Sequence, residues 1–582
     1  MDPARQTLQN LPKHLVQKIA CKATNWAPPD IYASLPSIGN PIWKMQKYVS
    51  ICRSWRTNCM PLYCQDVSLT MDYKMQAIEQ SHYWLATIPV IASCHGQQYS
   101  RYAHLQVPLM SIVDGKLPEA MQSAPYSTSV FPRVSVIWLK LSKGPKPQRS
   151  DLLGEDSGRQ NILLFTKLVR KMFPNAQMCS ITSSVAFESP DEEHKVGPYA
   201  TLLFHELMRT MAGIKYFAAS SHSFNGTMLQ PASLSSITYV ECPSSLPYFI
   251  ELIRSSHRSL RSLYLESTSA DLPLRLVRPA RNTSGDVQYS QLETLSIECS
   301  EPAQVSAKYA PSSAVFPGLK QLALHQPYPF TNDALFRDNL KTLQQLSMHL
   351  QVQDILPLLR LGILAKQFTQ MEHLQLQIFM RDHPFDKQMG SLIARIPWQM
   401  ASSTTQSIHV QFDTFCYKDA LLSALSSPPL GPMQHQGPLC HKALEFLQLG
   451  AVPLQIRQVL QVVGHLPRLV QLNIDPESID FDRDIRLQDT AGPSQLRRLQ
   501  AEAQRLPQFA GRLRTVVFGS GAFTDMLGAA HFALQLAILC PRIERVCWKT
   551  HSAFFIDNCQ QLADEHALYK QHSSRLHAVD WK

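Results

Sequence analysis

Few residue groupings in this chain could do chemistry. His205-Glu206 is the first half of the His-Glu-x-x-His signature, in which two imidazoles one helical turn apart hold zinc and the carboxylate activates water. Positions 207–209 read Leu-Met-Arg, however, and the second histidine is missing, so His205 reads as a helix-surface residue. Cys94-His95 and Cys440-His441 lack the further ligands of a tetrahedral zinc. Asp191, Glu192, Glu193 and His194 form an acidic run beside a proline, expected to be a solvated loop. The chain has no phosphate-cradling G-x-x-x-x-G-K-[ST], no dinucleotide-binding G-x-G-x-x-G and no nucleophile elbow G-x-S-x-G. Neither a catalytic constellation nor a metal or cofactor site is expected, and the protein reads as a non-enzyme.

What the chain does repeat is a positioning element. An apolar residue, two variable residues, an apolar residue, one variable residue and a last apolar residue recur as LRSLYL (Leu260, Leu263, Leu265), LETLSI (from Leu292), LKQLAL (from Leu319), LQQLSM (from Leu343) and MEHLQL (from Met371). Further copies are LEFLQL (from Leu444), LVQLNI (from Leu469), LRTVVF (from Leu513) and IERVCW (from Ile543). Weaker ones are IKYFAA, LSSITY, a stretch around Ile137 and Leu139, and an irregular TQSIHV centred on Ile408. Each motif ends in a period-two alternation, the mark of a short strand with one buried face. Helical periodicity fills segments between motifs, with Phe249, Leu252 and Ile253 on one stripe, Ile456, Val459, Leu460 and Val463 on another, and Phe532, Leu536 and Leu539 on a third.

Motif centres fall at 217, 237, 263, 295, 322, 346, 374, 447, 472, 516 and 546, so most steps are 20 to 32 residues. Those steps bracket leucine-rich repeats. An ordinary α/β sheet is the competing reading, but its strands tend to be Val/Ile runs buried on both faces, and these are short, Leu-led and half polar. Pro-, Ser- and Gly-rich stretches after Leu141 and from Glu188, Ser267, Ser300 and Ser426 are expected to be surface loops between repeats. In such repeats the residue between the last two apolar positions points onto the concave face, the usual ligand surface. Here that column is Tyr264, Ser296, Ala323, Ser347, Gln375, Gln448, Asn473, Val517 and Cys547, and none is charged. A nucleic-acid groove would need Lys and Arg there. An uncharged, hydrogen-bonding column fits a protein substrate, with Tyr264, Ser296, Ser347, Gln375, Gln448 and Asn473 as candidate contacts.

Residues before the repeats have another character. Leu11-Pro12 starts a helical pattern with Leu15, Val16 and Ile19, and WKMQKYVSICRSWR later carries Met45, Tyr48, Val49, Cys52 and Trp55 on one stripe. This segment resembles the F-box, whose pattern is Leu-Pro before an amphipathic helix and then a helix ending in apolar-Cys-Arg-x-Trp-Arg. Leu11, Pro12, Leu15, Val16 and Ile19 match the first half, and Ile51, Cys52, Arg53, Trp55 and Arg56 match the second, which is the more specific. TNWAPPDIYASLPSIGNP separates the halves by more than the family usually allows, implying a loop insertion or an altered middle helix. The resemblance is to F-box and leucine-rich-repeat proteins, in the irregular style of the fungal sets. It implies docking on the SKP-type adaptor of a cullin-RING (SCF) ubiquitin ligase, through Leu11, Pro12, Leu15, Val16, Ile19, Ile51, Cys52 and Trp55, while the repeats hold a protein substrate for degradation. The alternative is a helical cap on a leucine-rich-repeat interaction scaffold without a ligase role.

Composition bounds these readings. The 582 residues hold 55 Lys plus Arg against 45 Asp plus Glu, a net charge of +10, yet only 17% are charged. A hydrophobic content of 45% excludes a wholly disordered chain. Eight basic residues (Arg5, Lys13, Lys18, Lys22, Lys44, Lys47, Arg53, Arg56) face Asp2 and Asp30 in residues 1–60, so 8 − 2 = +6 of the excess sits in the proposed docking module. There it would complement an acidic adaptor surface. Thirteen scattered Cys without a C-x-x-C read as reduced thiols. The first residues lack a signal-peptide apolar run, and nothing approaches the ~18 apolar residues of a membrane span. Cytoplasm or nucleus is expected, with no nucleic-acid or membrane partner. The expected architecture is α/β, with an F-box-like helical module over residues 1–60 followed by an irregular leucine-rich-repeat solenoid, or horseshoe, over 61–582.

Overall fold

The computed structural model describes, in the main, residues 68–72, 102–122, 130–142, 155–183, 190–220, 234–240, 246–267, 287–299, 315–325, 339–351, 368–379, 393–412, 443–450, 456–474, 512–518, 540–548 and 576–578. The proposed F-box module, with Leu11, Pro12, Leu15, Val16, Ile19, Ile51, Cys52 and Trp55, lies outside the described residues. The chain divides into two compact units, Met1–Ser267 and Thr268–Lys582.

The first unit is an all-parallel sheet whose strands follow chain order: β1 (Ser68–Asp72), β2 (Tyr102–Pro108), β3 (Val136–Ser142), β4 (Met178–Ser183), β5 (Tyr216–Ser220), β6 (Ser236–Val240) and β7 (Ser262–Ser267). Between strands run α1 (Leu109–Val113), α2 (Lys116–Gln122), α3 (Glu155–Met172), α4 (Pro190–Thr210) and α5 (Leu246–Ser255). Phe204 of α4 meets Phe217 of β5 at 4.4 Å between ring centroids, and Phe217 stacks at 6.2 Å on Phe249 of α5, so aromatic burial joins helices to sheet. A sharp turn links α1 to α2 through Gly115 at φ +84°, where an Asn161 side chain from α3 donates to Val113 O at 2.9 Å.

The second unit is again parallel and in chain order: β8 (Thr294–Cys299), β9 (Gln321–His325), β10 (Gln345–Gln351), β11 (His373–Phe379), β12 (Ser407–Phe412), β13 (Phe446–Gly450), β14 (Gln471–Ile474), β15 (Thr515–Phe518), β16 (Arg545–Trp548) and β17 (Leu576–Ala578). Helix α6 (Ile456–His465) lies between β13 and β14. The motif residues stack in register, so Leu295, Leu322, Leu346, Leu374, Ile408, Leu447, Leu472 and Val516 form one buried row. The first motif position forms a second buried row through Leu292, Leu319, Leu343, Met371, Thr405, Leu444 and Leu469.

Backbone chemistry enforces this register. Glu293 O accepts from both Lys320 N and Gln321 N, Lys320 O from Gln344 N and Gln345 N, and Gln344 O from Glu372 N and His373 N. The same step continues through Glu372, Gln406, Glu445, Val470 and Arg514, all at 2.7–3.0 Å, so each carbonyl uses both its lone pairs. Before several strands the chain makes the same tight turn, with Val134 N bonding Phe131 O, Ala176 N bonding Phe173 O, Leu319 N bonding Phe316 O and Leu469 N bonding Leu466 O. Each of these four named turns carries proline second, at Pro132, Pro174, Pro317 and Pro467, where its fixed φ suits the first inner turn position. The repeat is therefore longer at its front end than the apolar motif alone, and the signal apolar-Pro-x-apolar was present in the sequence.

The expected strands are present at the weak copies too, including β3, β5, β6 and the irregular β12, and two of the three expected helices stand as α5 and α6, while Phe532 and Leu539 of the third lie outside the described residues. Two expectations are corrected. The acidic run Asp191–His194 is not a loop but lies in the first turns of α4, where Pro190 starts the helix. Part of the stretch after Leu141 is likewise helical, because α3 begins at Glu155. Strands β1, β2, β4 and β17 join the same parallel order at positions that the motif search did not register. At β4 the apolar slots hold Ala176 and Cys179, small residues that break a Leu-led pattern while still being buried.

Candidate functional site

On the sheet of the second unit, residues that alternate with the buried rows form the opposite, partly exposed face. The column expected to bind substrate is continuous there, because Ser296, Ala323, Ser347, Gln375, His409, Gln448, Asn473, Val517 and Cys547 are successive register partners. The structure inserts His409 from β12, a residue the sequence column omitted because its copy was irregular. Tyr264 belongs to β7 of the first unit, where its register partner is Thr238.

Exposure varies along the column. Gln375 is exposed, Ser296, Ser347 and Gln448 are half-buried, and Asn473 is only 9% exposed. Asn473 earns that burial through hydrogen bonds. Its Nδ2 donates to Gln448 Oε1 at 3.2 Å, while Gln471 Nε2 donates to its Oδ1 at 2.9 Å. The three amides thus hold one another, and a partner meeting them finds donors and acceptors already fixed in place. Val517 is buried and closes the polar part of the column.

A second outward column lies one step further along the strands and was missed in the sequence, although the alternation simply continues there. It runs Glu298, His325, His349, Gln377, Gln411 and Gly450. The rings of His325 and His349 meet edge to face at 5.1 Å between centroids, and His349 meets Phe379 in the same manner at 5.6 Å. Burial pushes the His349 pKa below its usual 6.5, the neighbouring His325 pushes the same way, and Glu298 opposes both. His349 is therefore held neutral over a wider pH range than a free imidazole.

Other candidates are placed as follows. His205 sits in α4, half-buried, its ring 6.1 Å from Phe204, and Glu206 is bound to Arg209 one turn on. Cys179 and Cys540 are buried thiols whose pKa burial pushes up to about 12. Among the described residues no three His, Cys, Asp or Glu are grouped to hold a metal ion, and no helix is long and apolar enough to cross a membrane. No protein-family model matches the chain, and no curated protein matches it.

Proposed function

We propose that the protein is the substrate-recognition subunit of an SCF-type ubiquitin ligase, docking on the SKP-type adaptor through residues 1–60 and binding a protein substrate with a leucine-rich-repeat solenoid over 61–582. One observation supports the docking half above others: ICRSWR, with Ile51, Cys52, Arg53, Trp55 and Arg56, fits the F-box signature at each position, and the local excess of positive charge suits an acidic adaptor surface. The substrate half is supported by the in-register parallel strands, one per repeat, and by an outward column of uncharged hydrogen-bonding residues. In this reading the protein performs no covalent step. It raises the local concentration of one substrate beside the transfer machinery.

A pull-down with the organism's SKP-type adaptor tests the proposal. Wild type should bind, and Trp55→Ala should lose binding, because truncating a packed Trp in a small helical module costs about 3 to 5 kcal/mol. An Arg53→Glu, Arg56→Glu pair, which leaves the apolar residues of the segment unchanged, should slow association and make it less sensitive to salt. Wild-type protein that ignores the adaptor would leave the scaffold reading in its place. That second reading is favoured by the repeat face alone, which is equipped to bind protein whatever residues 1–60 do.

A further inference from the structure

Where strands β3–β7 of the first unit begin, the turns carry charge of one sign. The residues just before these strands are Ser135, Gln177, Lys215, Ser235 and Arg261, stacked because Lys215 N donates to Gln177 O, Ser235 N to Lys215 O and Arg261 N to Ser235 O, each at 2.7 Å. The turn before β7 adds Arg258, and its neighbour Ser259 pins that turn beside β6 by donating to Leu234 O at 2.8 Å. The last turn of α3 adds Arg170. That helix end is fastened to the turn before β3, since Phe131 N donates to Met172 O at 2.7 Å and Asn175 Nδ2 to Pro132 O at 2.8 Å. Arg170, Lys215, Arg258 and Arg261 are all exposed, and among the described residues none of them meets a carboxylate. Residues 131–135, 173–177, 211–215 and 256–261 include no Asp or Glu, and the stretches 123–129 and 221–233 that lead into β3 and β6 contain no Asp, Glu, Lys or Arg. Carboxylates of the helices lie before the helix ends, with Glu206 bound to Arg209 and Glu251 in the middle of α5.

The same position in the second unit mixes signs. Glu293, Glu372, Glu445 and Glu544 stand there with Lys320 and Arg514, and Lys320 meets Glu293 at 3.5 Å while Arg514 meets Glu544 at 3.8 Å. Those cations find their counter-charges within their own row. A helix dipole accounts for Arg170 at the end of α3, but Lys215, Arg258 and Arg261 lie in turns, outside any helix.

We propose that this edge, along β4–β7, docks an extended, acidic segment of a partner protein. It uses none of the outward column and none of residues 1–60, so it is a further binding surface. Lys215 and Arg261 precede strands two apart in the sheet, a backbone spacing of about 10 Å that an extended chain crosses in about three residues. One partner segment thus reaches both cations, and each guanidinium fork pairs with a carboxylate through two parallel bonds. A groove for single-stranded nucleic acid would add exposed aromatic rings on which bases stack. In these turns the aromatic residues are Phe131 and Phe173, and both are buried.

Fluorescence anisotropy on the full chain tests this, with labelled oligo-Glu and oligo-Lys peptides and a single-stranded DNA oligonucleotide as probes. Oligo-Glu should bind and oligo-Lys should not, and the affinity should fall as salt rises from about 20 to about 200 mM. A Lys215→Glu, Arg261→Glu chain should bind oligo-Glu about tenfold more weakly at low salt. Lys320→Glu, Arg514→Glu makes the same change in net charge on the second unit and should leave that affinity unchanged, as should Arg53→Glu, Arg56→Glu. Circular dichroism checks folding; if the charge reversal unfolds the chain, the milder Lys215→Gln, Arg261→Gln pair should still weaken binding by about threefold. Oligo-Glu that does not bind, that weakens equally with the second-unit pair, or that is lost only with the Arg53→Glu, Arg56→Glu pair overturns the proposal. DNA that binds more tightly than oligo-Glu and is released by the same reversal overturns it too. The ligase reading is scored separately by the adaptor pull-down.

Discussion

Thr405 donates its hydroxyl to the carbonyl of Met371 at 2.8 Å from a buried row that leucine occupies in nearby repeats at Leu343 and Leu444. Ser402 and Thr404 send hydroxyls to the same carbonyl at 3.0 Å each, and Ser402 N donates to Thr405 Oγ1 at 2.8 Å. A polar residue is tolerated in that row because every polar atom it brings has a partner. Thr405→Val keeps the shape but strips the acceptor from the buried Ser402 N–H, and a loss of about 1 to 3 kcal/mol is expected. Urea unfolding measures it, and an unchanged midpoint would show that this hydroxyl cluster contributes nothing.

Gly115 offers a steric and conformational test. A Cβ there would lie 2.9 Å from Asn161 Nδ2, and the backbone sits at φ +84°, a region that side chains disfavour. Gly115→Ala should therefore destabilise the first unit by about 1 to 3 kcal/mol. In an Asn161→Ala background the clash is gone while the φ penalty remains, so the two substitutions should be less than additive in thermal unfolding.

The thiols of Cys179 and Cys540 should be silent in the folded protein. With a pKa near 12, each stays protonated where an unfolded cysteine, near 9.0, begins to ionise. Alkylation at mildly alkaline pH followed by peptide mapping should label both only after denaturation. The same shift gives stability that is complete below pH 9.0 and declines as pH rises toward 12, since the unfolded chain loses these protons first.

His349 acts on the acid side. Its folded pKa lies below the ordinary 6.5, so on acidification the unfolded chain takes up a proton before the folded chain does. Stability contributed by this site is present above pH 6.5 and is lost as pH falls below that value toward the depressed pKa. His349→Gln should flatten that part of the stability profile, read as urea midpoints across the acid range, and should leave the alkaline limb alone.

Much of this architecture is written in the local alternation of the chain. Leu295-Ser296-Ile297 and Leu374-Gln375-Leu376 announce both the buried row and the outward column, because period two assigns each residue a face wherever one face is buried. Legibility fails where a slot is filled unconventionally. Ala176 and Cys179 hide β4 from a leucine search, and Thr405 disguises β12 until its hydrogen bonds are seen. The acidic start of α4 resembles a loop in composition but belongs to a helix that packs on α3. The Glu298, His325 and His349 alignment lay one alternation step beyond the motif's last apolar residue, where the search stopped.

The chain of doubly accepting carbonyls from Glu293 to Arg514 has a bearing on evolution as well as on stability. Every rung offers its successor the same two-donor socket, whatever the number of residues between them. A whole unit could be duplicated or deleted with its neighbours rejoining on unchanged terms, so the number of rungs can drift between lineages while the grammar of each stays constant.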